Sequence, residues 1–158
     1  MKSSDEKDLT NKPSKQLYLY KYDSMFNLFI NTIKKNKLPQ CSILTGQKGS
    51  GKSTFAYHLV NYMLSVNEQH PYSIKNNYIH PKNYSYHLVN SKTHPCFFLI
   101  DNMESEDSIK ITQIRSLLKF LRNTTYENNL KIVLIDNVEA LNLNSANALL
   151  KCLEEPTQ

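Results

Sequence analysis

The three glycines of this 158-residue chain lie within six positions of one another. Residues 46–54 contain all of them and read GQKGSGKST, which fits the pattern G-x-x-x-x-G-K-[ST] of a P-loop. Glycine permits backbone dihedrals that other residues avoid, so the N–H groups of such a loop can converge on phosphate oxygens. A P-loop also has to follow a strand and open a helix, so this segment constrains the fold more than any other.

Every position of the motif can serve a bound nucleoside triphosphate. Lys52 would place its ammonium on the outer phosphates, and Ser53 would offer its hydroxyl to Mg²⁺. The helix that begins at Gly51 would direct the positive end of its dipole at the same anion. The candidate nucleotide-binding residues are Gly46, Gln47, Lys48, Gly49, Ser50, Gly51, Lys52, Ser53 and Thr54.

Helical and strand patterns alternate along the chain. Unbroken apolar runs predict buried strands at residues 41–45, 96–100 and 131–135. Apolar stripes at helical spacing predict four helices: one capped by Asp23 or Ser24 and ending at Leu38-Pro39, one from Gly51, one capped near Ser108 or Thr112, and one from about Asn144 to just before Pro156. Apolar strands without in–out alternation are typical of a parallel sheet with helices on both faces, so the expected class is α/β.

The domain boundaries follow from composition. Residues 1–16 are polar and predict a disordered N-terminal tail, and residues 17–158 predict one nucleotide-binding domain. Within it, residues 65–95 contain three prolines with many Asn and Tyr, which predicts a loop-rich insertion.

Two acidic residues follow predicted strands and could complete a Mg²⁺ site with the P-loop. They are Asp101 and Asp136, and each is followed by an asparagine, so the pattern alone does not choose between them. Hydrolysis also needs a group that activates water, and Asn137 and Glu139 are weak candidates. Because an amide cannot accept the proton of water, we expect binding with slow or absent hydrolysis.

Bulk properties restrict the remaining classes of function. Cys41, Cys96 and Cys152 are odd in number and far apart, so neither a disulfide framework nor a zinc site is expected. No apolar run approaches the ~20 residues that span a bilayer, and the N-terminus lacks a secretory signal, so a cytoplasmic protein with no membrane partner is expected. The net charge of +5 is expected to be spread along the chain without forming a basic stripe, so it does not by itself predict nucleic-acid binding.

The C-terminal third resembles a known family. Residues 133–142 read VLIDNVEALN and residues 146–156 read ANALLKCLEEP, which is similar to bacterial clamp loaders of the AAA+ class of P-loop NTPases. Weaker matches at residues 37–40 (KLPQ), 94–95 (HP) and 113–115 (QIR) agree with it. The resemblance covers the chain from about residue 20 to the end.

This resemblance implies an ATP-binding subunit of the DNA polymerase III clamp loader, with a RecA-like sheet. Its partners would be the other clamp-loader subunits and, through the complex, the sliding clamp and primed DNA. It implies Asp136 as the Mg²⁺ acid, and stator subunits of this family hydrolyse ATP poorly, which agrees with Asn137. The family's cysteine-rich zinc module has no counterpart here, and its sensor strand, arginine-finger motif and lid are not found before Gln158, so the chain is expected to be an N-terminal fragment of limited stability.

Two alternatives stay open at this point. One is an active P-loop ATPase or kinase of another type, in which Asp101 is the Mg²⁺ acid. The other is a scaffold whose P-loop never binds nucleotide.

Overall fold

A computed structural model describes residues 12–101, 108–123 and 130–154 of this chain, and in these ranges helices alternate with strands only after residue 91. The chain divides into two compact units, Met1–Ser91 and Lys92–Gln158. The prediction of an α/β fold with a parallel sheet is confirmed. Within the described residues, the helices are α1 (Asp23–Lys34), α2 (Lys52–Leu64), α3 (Tyr84–Asn90), α4 (Ile111–Arg122) and α5 (Leu143–Glu154), and the strands are β1 (Phe97–Asp101) and β2 (Ile132–Asp136).

The first unit is built around the buried face of α1. Phe26 and Ile30 lie one turn apart on this helix and are almost fully buried. Phe55, from the first turns of α2, meets Phe26 edge to face with ring centroids 5.7 Å apart. Burial of one such side chain contributes about 1.5–3 kcal/mol, so this contact fixes α2 and the loop before it against α1. The cluster comprises Leu19, Phe26, Ile30, Phe55, Tyr72 and Ile79.

The ends of α1 differ from the prediction. The helix begins at Asp23 with Tyr22 as its N-cap residue, and the Asp23 carboxylate accepts a hydrogen bond of 2.6 Å from the Asn77 side chain instead of capping the helix. It ends at Lys34, before the predicted Leu38-Pro39, because Asn36 takes a left-handed backbone conformation with φ 52°.

Residues 41–45 were predicted to form a buried strand, and this prediction is wrong. They have no regular secondary structure, and Ile43 is 71% exposed. A strand exists only where its backbone N–H and C=O groups pair with a neighbouring strand, and none of the described residues supplies that pairing. Leu44 alone keeps an apolar role, because it packs against the core cluster of the first unit.

Residues 65–91 hold more regular structure than a loop-rich segment suggests. They contain a 3₁₀ turn at Ile74–Asn76 and the helix α3. Asn83 caps α3 by accepting a hydrogen bond of 2.6 Å from the Tyr86 N–H. The Glu68 carboxylate accepts two more, from the N–H groups of Tyr84 and Ser85, each at 2.8 Å. These bonds satisfy donors that a helix N-terminus leaves unpaired, which explains why so short a helix forms.

The predicted tail extends too far. Residues 1–11 lie outside the described residues, but Pro13–Lys15 form a 3₁₀ turn, and the carbonyl of Gln16 lies 3.1 Å from Nε2 of buried His58 on α2. Proline favours the start of such a turn, and the contact with His58 fixes its end. The ordered part of the first unit therefore includes residues 12–16.

The second unit has a two-stranded parallel sheet. β1 and β2 pair in register from Phe97↔Ile132 to Asp101↔Asp136. α4 and α5 contribute to its apolar cluster, whose buried members are Ile100, Ile109, Ile114 and Leu117. Both strands lie one residue later than predicted, so the acidic residues expected after them are their last residues. Residues 124–129, predicted to be a polar connection, lie outside the described residues.

In this unit the predicted start of α4 is wrong, and the predicted start of α5 is confirmed to within one residue. α4 begins after Lys110, not at a Ser108 or Thr112 cap, because the Gln113 side chain reaches back to accept the Lys110 N–H at 3.0 Å. α5 starts at Leu143, close to the predicted Asn144, and Asn142 accepts the Ser145 N–H at 2.9 Å. Of the apolar stripe predicted on α5, Leu149 packs into the cluster, whereas Leu150 is 53% exposed. In the described ranges no helix is both long and apolar enough to cross a membrane.

Candidate functional site

All three glycines of the loop have positive φ angles and the loop leads into α2, as the motif predicts, but the strand expected before the loop is absent from the described residues. Gly46, Gly49 and Gly51 have φ angles of 147°, 79° and 91°, which L side chains rarely adopt. A Cβ atom on Gly49 would meet no atom within 4 Å, so at this position the backbone, and not crowding, requires glycine. At Gly51 the added Cβ would also lie 3.3 Å from Cε2 of Tyr22.

The Lys52 ammonium lies over the loop, as the motif predicts. Its Nζ donates hydrogen bonds of 2.8 Å to the carbonyl oxygens of Gly46 and Gln47. An ammonium has three N–H donors, so one remains for an anion in front of the loop. The lysine therefore holds the two ends of the loop together while it presents positive charge to solvent.

Backbone donors face the same region. Among the hydrogen bonds of the described residues, none uses the N–H groups of Gly49, Gly51, Lys52 or Ser53. The last two belong to the first turn of α2, whose N–H groups and dipole favour a negative charge. Free donors, a left-handed glycine backbone and one ammonium fit a polyphosphate, so the residues present are suited to the triphosphate tail of ATP.

One residue that supports the loop was not found in the sequence. The Tyr22 hydroxyl donates a hydrogen bond of 2.6 Å to the Ser50 carbonyl, and its ring lies 5.2 Å from that of Phe55. Tyr22 thus connects the N-terminus of α1 to the loop from 28 residues away. Nothing in the local pattern around Tyr22 marks it, because the contact exists only after α1 and α2 have packed.

The remaining motif residues fall where the sequence placed them. Ser53 and Thr54 lie in the first turn of α2 and are half-buried, whereas Gln47 and Lys48 are exposed in the loop. Ser53 belongs to the first unit and Asp136 to the second, so a Mg²⁺ ion shared by the two remains a prediction.

The two candidate acids are neighbours in the second unit. Asp101 and Asp136 are the final pair of the parallel ladder, whose strands run about 4.8 Å apart. Lys92 engages the Asp101 carboxylate, with Nζ 3.0 Å from Oδ2 and 3.2 Å from Oδ1. No described side chain makes a hydrogen bond or ion pair with the Asp136 carboxylate. Among the described residues, Asp101 thus has a cationic partner and Asp136 has none.

The two weak candidates for water activation differ in setting. Asn137 follows β2 directly, is exposed, and has an extended backbone with φ −158°. Glu139 is exposed in the 3₁₀ turn Val138–Ala140, which turns the chain away after the strand. The residue beside Asp136 therefore offers an amide, which can orient a water molecule but cannot take its proton.

The amino-acid sequence of this chain is similar to one protein family and to several proteins of known name. Residues 21–158 match the family described as "DNA polymerase III, delta subunit". The DNA polymerase III subunit delta' of Bacillus subtilis is 29% identical over 138 residues, which cover 85% of this chain and 38% of the relative. That of Pseudomonas aeruginosa is 43% identical over 70 residues, or 44% of this chain and 21% of the relative.

A third relative has a different name. The DNA polymerase III subunit gamma/tau of Mycoplasma pneumoniae is 27% identical over 133 residues, which cover 84% of this chain and 18% of that protein. The chain thus spans well under half the length of these curated relatives.

Proposed function

Because this chain belongs to the DNA polymerase III delta subunit family, we propose that it is a delta prime-like clamp-loader subunit that binds ATP and Mg²⁺. The observation that carries the nucleotide-binding part is the loop at residues 46–54. Its three glycines have positive φ angles and Lys52 lies over it, and the N–H groups of Gly49, Gly51, Lys52 and Ser53 donate no hydrogen bond within the described part of the chain.

The triphosphate would be held mainly by backbone donors. The N–H groups of Gly49, Gly51 and Lys52 would donate to phosphate oxygens, and the third N–H of the Lys52 ammonium would reach the outer phosphates. Rigid donors are favourable because little order has to be imposed when the ligand binds. The Tyr22–Ser50 hydrogen bond supplies part of that rigidity.

Mg²⁺ would be held by the Ser53 hydroxyl and, through water, by Asp136. Bound there, the ion would neutralise charge on the phosphates. The Lys92–Asp101 ion pair supports Asp136 over Asp101, because a carboxylate already paired with an ammonium is a poorer cation ligand.

Hydrolysis by this subunit would be weak or absent. The position beside Asp136 holds Asn137, and the nearest carboxylate along the chain is Glu139, in the turn that leaves the strand. Bound ATP would then stabilise the subunit's conformation rather than supply energy by turnover. The subunit would act among the other subunits of the loader in the cytoplasm, and through them on the sliding clamp and primed DNA.

Thermal protection by ATP tests the proposal. At an ATP concentration of about 100 Kd, Mg²⁺ and ATP should stabilise the full-length protein by about 2.7 kcal/mol. Lys52→Ala removes a charge-assisted contact worth about 1.5–3 kcal/mol and should weaken binding by about 10- to 100-fold. Lys75→Ala is the matched control, because Lys75 is an exposed lysine of the same unit, outside the loop.

Two further variants assign the acid. Asp136→Ala should abolish the Mg²⁺-dependent part of the protection, whereas Asp101→Ala should leave most of it. The reverse result would refute Asp136 as the acid, and wild-type protein without protection by any magnesium nucleotide would refute the proposed function. Phosphate release that depends on Asn137 or Glu139 would show that the subunit is an active ATPase.

A further inference from the structure

A row of aromatic rings lies on the first unit and includes no residue of the loop 46–54. Tyr20 stacks on Tyr18 with centroids 6.0 Å apart, and Tyr18 lies 4.5 Å from Tyr78. Tyr78 meets His80 edge to face at 6.4 Å, and His80 stacks on His70 at 4.3 Å. We call these five rings the aromatic row.

Backbone pairing holds the row in place. Residues 17–20 run antiparallel to residues 77–80: the Leu19 N–H donates to the Asn77 carbonyl at 3.0 Å, and the Ile79 N–H donates to the Leu17 carbonyl at 2.9 Å. Successive side chains of an extended segment point to opposite sides. Leu19 and Ile79 are buried in the core cluster, so Tyr18, Tyr20 and Tyr78 stand on the other side.

The outer side of such a pairing is ordinarily polar, but here it is aromatic. Tyr20 is 72% exposed and Tyr18 is 47% exposed. Pairs of rings across strands contribute about 0.5–1.5 kcal/mol to stability, which accounts for the contact of Tyr18 with Tyr78. It does not account for Tyr20, whose ring covers no core residue and leaves one face open among the described residues.

The part of the chain that carries the row has a positive net charge. Residues 12–91 contain ten lysines and no arginine against Asp23 and Glu68, a formal net charge of +8 with neutral histidines. Both acids are occupied, Asp23 by the Asn77 side chain and Glu68 by the N-terminus of α3. The whole chain carries only +5, so its positive charge is concentrated in this unit, and the expectation that the charge is spread along the chain is wrong.

Three of these lysines lie on the segments that carry the rings. Lys21 follows Tyr20, Lys75 lies in the turn between Ser73 and Tyr78, and the Lys82 N–H donates to Nδ1 of His80 at 3.1 Å. All three are exposed. An exposed ring on segments that also carry exposed lysines fits a polymer that alternates flat bases with phosphates.

We propose that the aromatic row binds single-stranded DNA, with a base stacked on the open face of Tyr20 and phosphates near Lys21, Lys75 and Lys82. Stacking on aromatic side chains tolerates any base, and unpaired bases are accessible only in a single strand. The choice of DNA over RNA rests on the proposed function. The ring geometry and the charge are observations that do not depend on that function. The site would give this subunit its own contact with a DNA strand, and that contact would not require bound ATP.

The test measures binding of a fluorescein-labelled thymidine dodecamer to the full-length protein by fluorescence anisotropy, without nucleotide. Tyr20→Ala should weaken binding by about tenfold, because stacking of one base is worth about 1–3 kcal/mol. Tyr20→Phe keeps the ring and should bind like the wild type. Tyr84→Ala is the matched control: Tyr84 is 66% exposed in the same unit and forms no ring pair among the described residues.

Salt provides the second readout. If three phosphates are neutralised, the logarithm of the affinity should fall with the logarithm of salt concentration with a slope of about −2. Equal effects of Tyr20→Ala and Tyr84→Ala would overturn the proposal, as would duplex DNA that binds as tightly as the single strand. Tighter binding of a uridine dodecamer would overturn the choice of DNA.

The two proposals can fail separately. ATP protection of the Tyr20→Ala protein should equal that of the wild type, because within the described residues no hydrogen bond or ring contact joins Tyr20 to the loop. Loss of DNA binding with protection retained supports the row as a separate site. Loss of both in Tyr20→Ala would indicate damage to the fold and refute a specific role for the ring.

Discussion

Acidification should destabilise the first unit through one buried histidine. His58 on α2 has no solvent-exposed surface. Its Nε2 lies 3.1 Å from the Gln16 carbonyl, which can only accept, so Nε2 carries the proton and Nδ1 accepts from the Tyr72 hydroxyl at 3.0 Å. The ring is therefore neutral in the folded protein, and a second proton would put a charge where water cannot reach it.

The magnitude follows from the shift in pKa. Burial lowers the pKa of His58 from 6.5 to about 4, although the hydrogen bond to Gln16 partly opposes the shift. Between these values the unfolded chain binds a proton that the folded chain does not, so stability falls as pH falls from 6.5 towards 4. Each pKa unit corresponds to about 1.4 kcal/mol, so the loss is about 3 kcal/mol over the whole window and zero above it.

Urea unfolding between pH 4 and 7 measures this loss. Nine of the ten tyrosines lie in residues 1–91, so tyrosine fluorescence reports on the first unit. His58→Gln keeps a polar side chain without a titratable group. It should lower stability at pH 7 and flatten the dependence on pH between 4 and 6.5. The slope, not the absolute stability, is the readout, since other titrating groups contribute equally to both proteins.

His87→Gln is the matched control, because His87 is exposed in the same unit. It should leave the wild-type slope unchanged. If His58→Gln shows the same slope as the wild type, the buried neutral histidine is not the cause and the reasoning is wrong.

Two further substitutions test how the local structures are held. Gly51→Ala should lower the melting temperature more than Gly49→Ala does. Both substitutions place a side chain at a positive φ, which costs about 1–2 kcal/mol, but only Gly51→Ala also adds a Cβ atom 3.3 Å from Tyr22. Equal melting temperatures of the two variants would contradict a role for that contact. Lys131→Met should destabilise the second unit by about 1.5–3 kcal/mol, because Nζ donates to the carbonyls of Phe120, Leu121 and Asn123 at the end of α4. Hydrogen exchange of the last amides of α4 checks this, with Lys119→Met, an exposed lysine on the same helix, as the control.

The sequence predicted the features that depend on short stretches of chain. The P-loop motif, the apolar stripes of α1, α2 and α4, and the strands that end at Asp101 and Asp136 all follow from spacing within about ten residues. The clamp-loader resemblance was read from a similarly short run. Each of these patterns reflects a requirement that neighbouring residues meet by themselves, such as one buried helix face or one apolar strand.

The features that it missed depend on residues far apart in the chain. The apolar run at residues 41–45 reads like the other strands, but a strand needs a partner, and the run itself cannot supply one. Tyr22 supports the loop from 28 residues away, and Lys92 neutralises Asp101 from nine. The aromatic row has a local signal, the alternation of Leu and Tyr at residues 17–20, but the residues that these tyrosines meet, 77–80, lie about 60 positions away in the sequence.

The in-register pairing of β1 and β2 restricts how the two carboxylates can change. A slip of one residue would move one of them by about 3.3 Å and turn it to the opposite side of the sheet. The spacing of the two acids is therefore set by buried apolar residues of the strands, such as Ile100, which carry no polar side-chain group. A substitution in the interior of the sheet that changed the register would therefore also displace one of the two carboxylates at its edge.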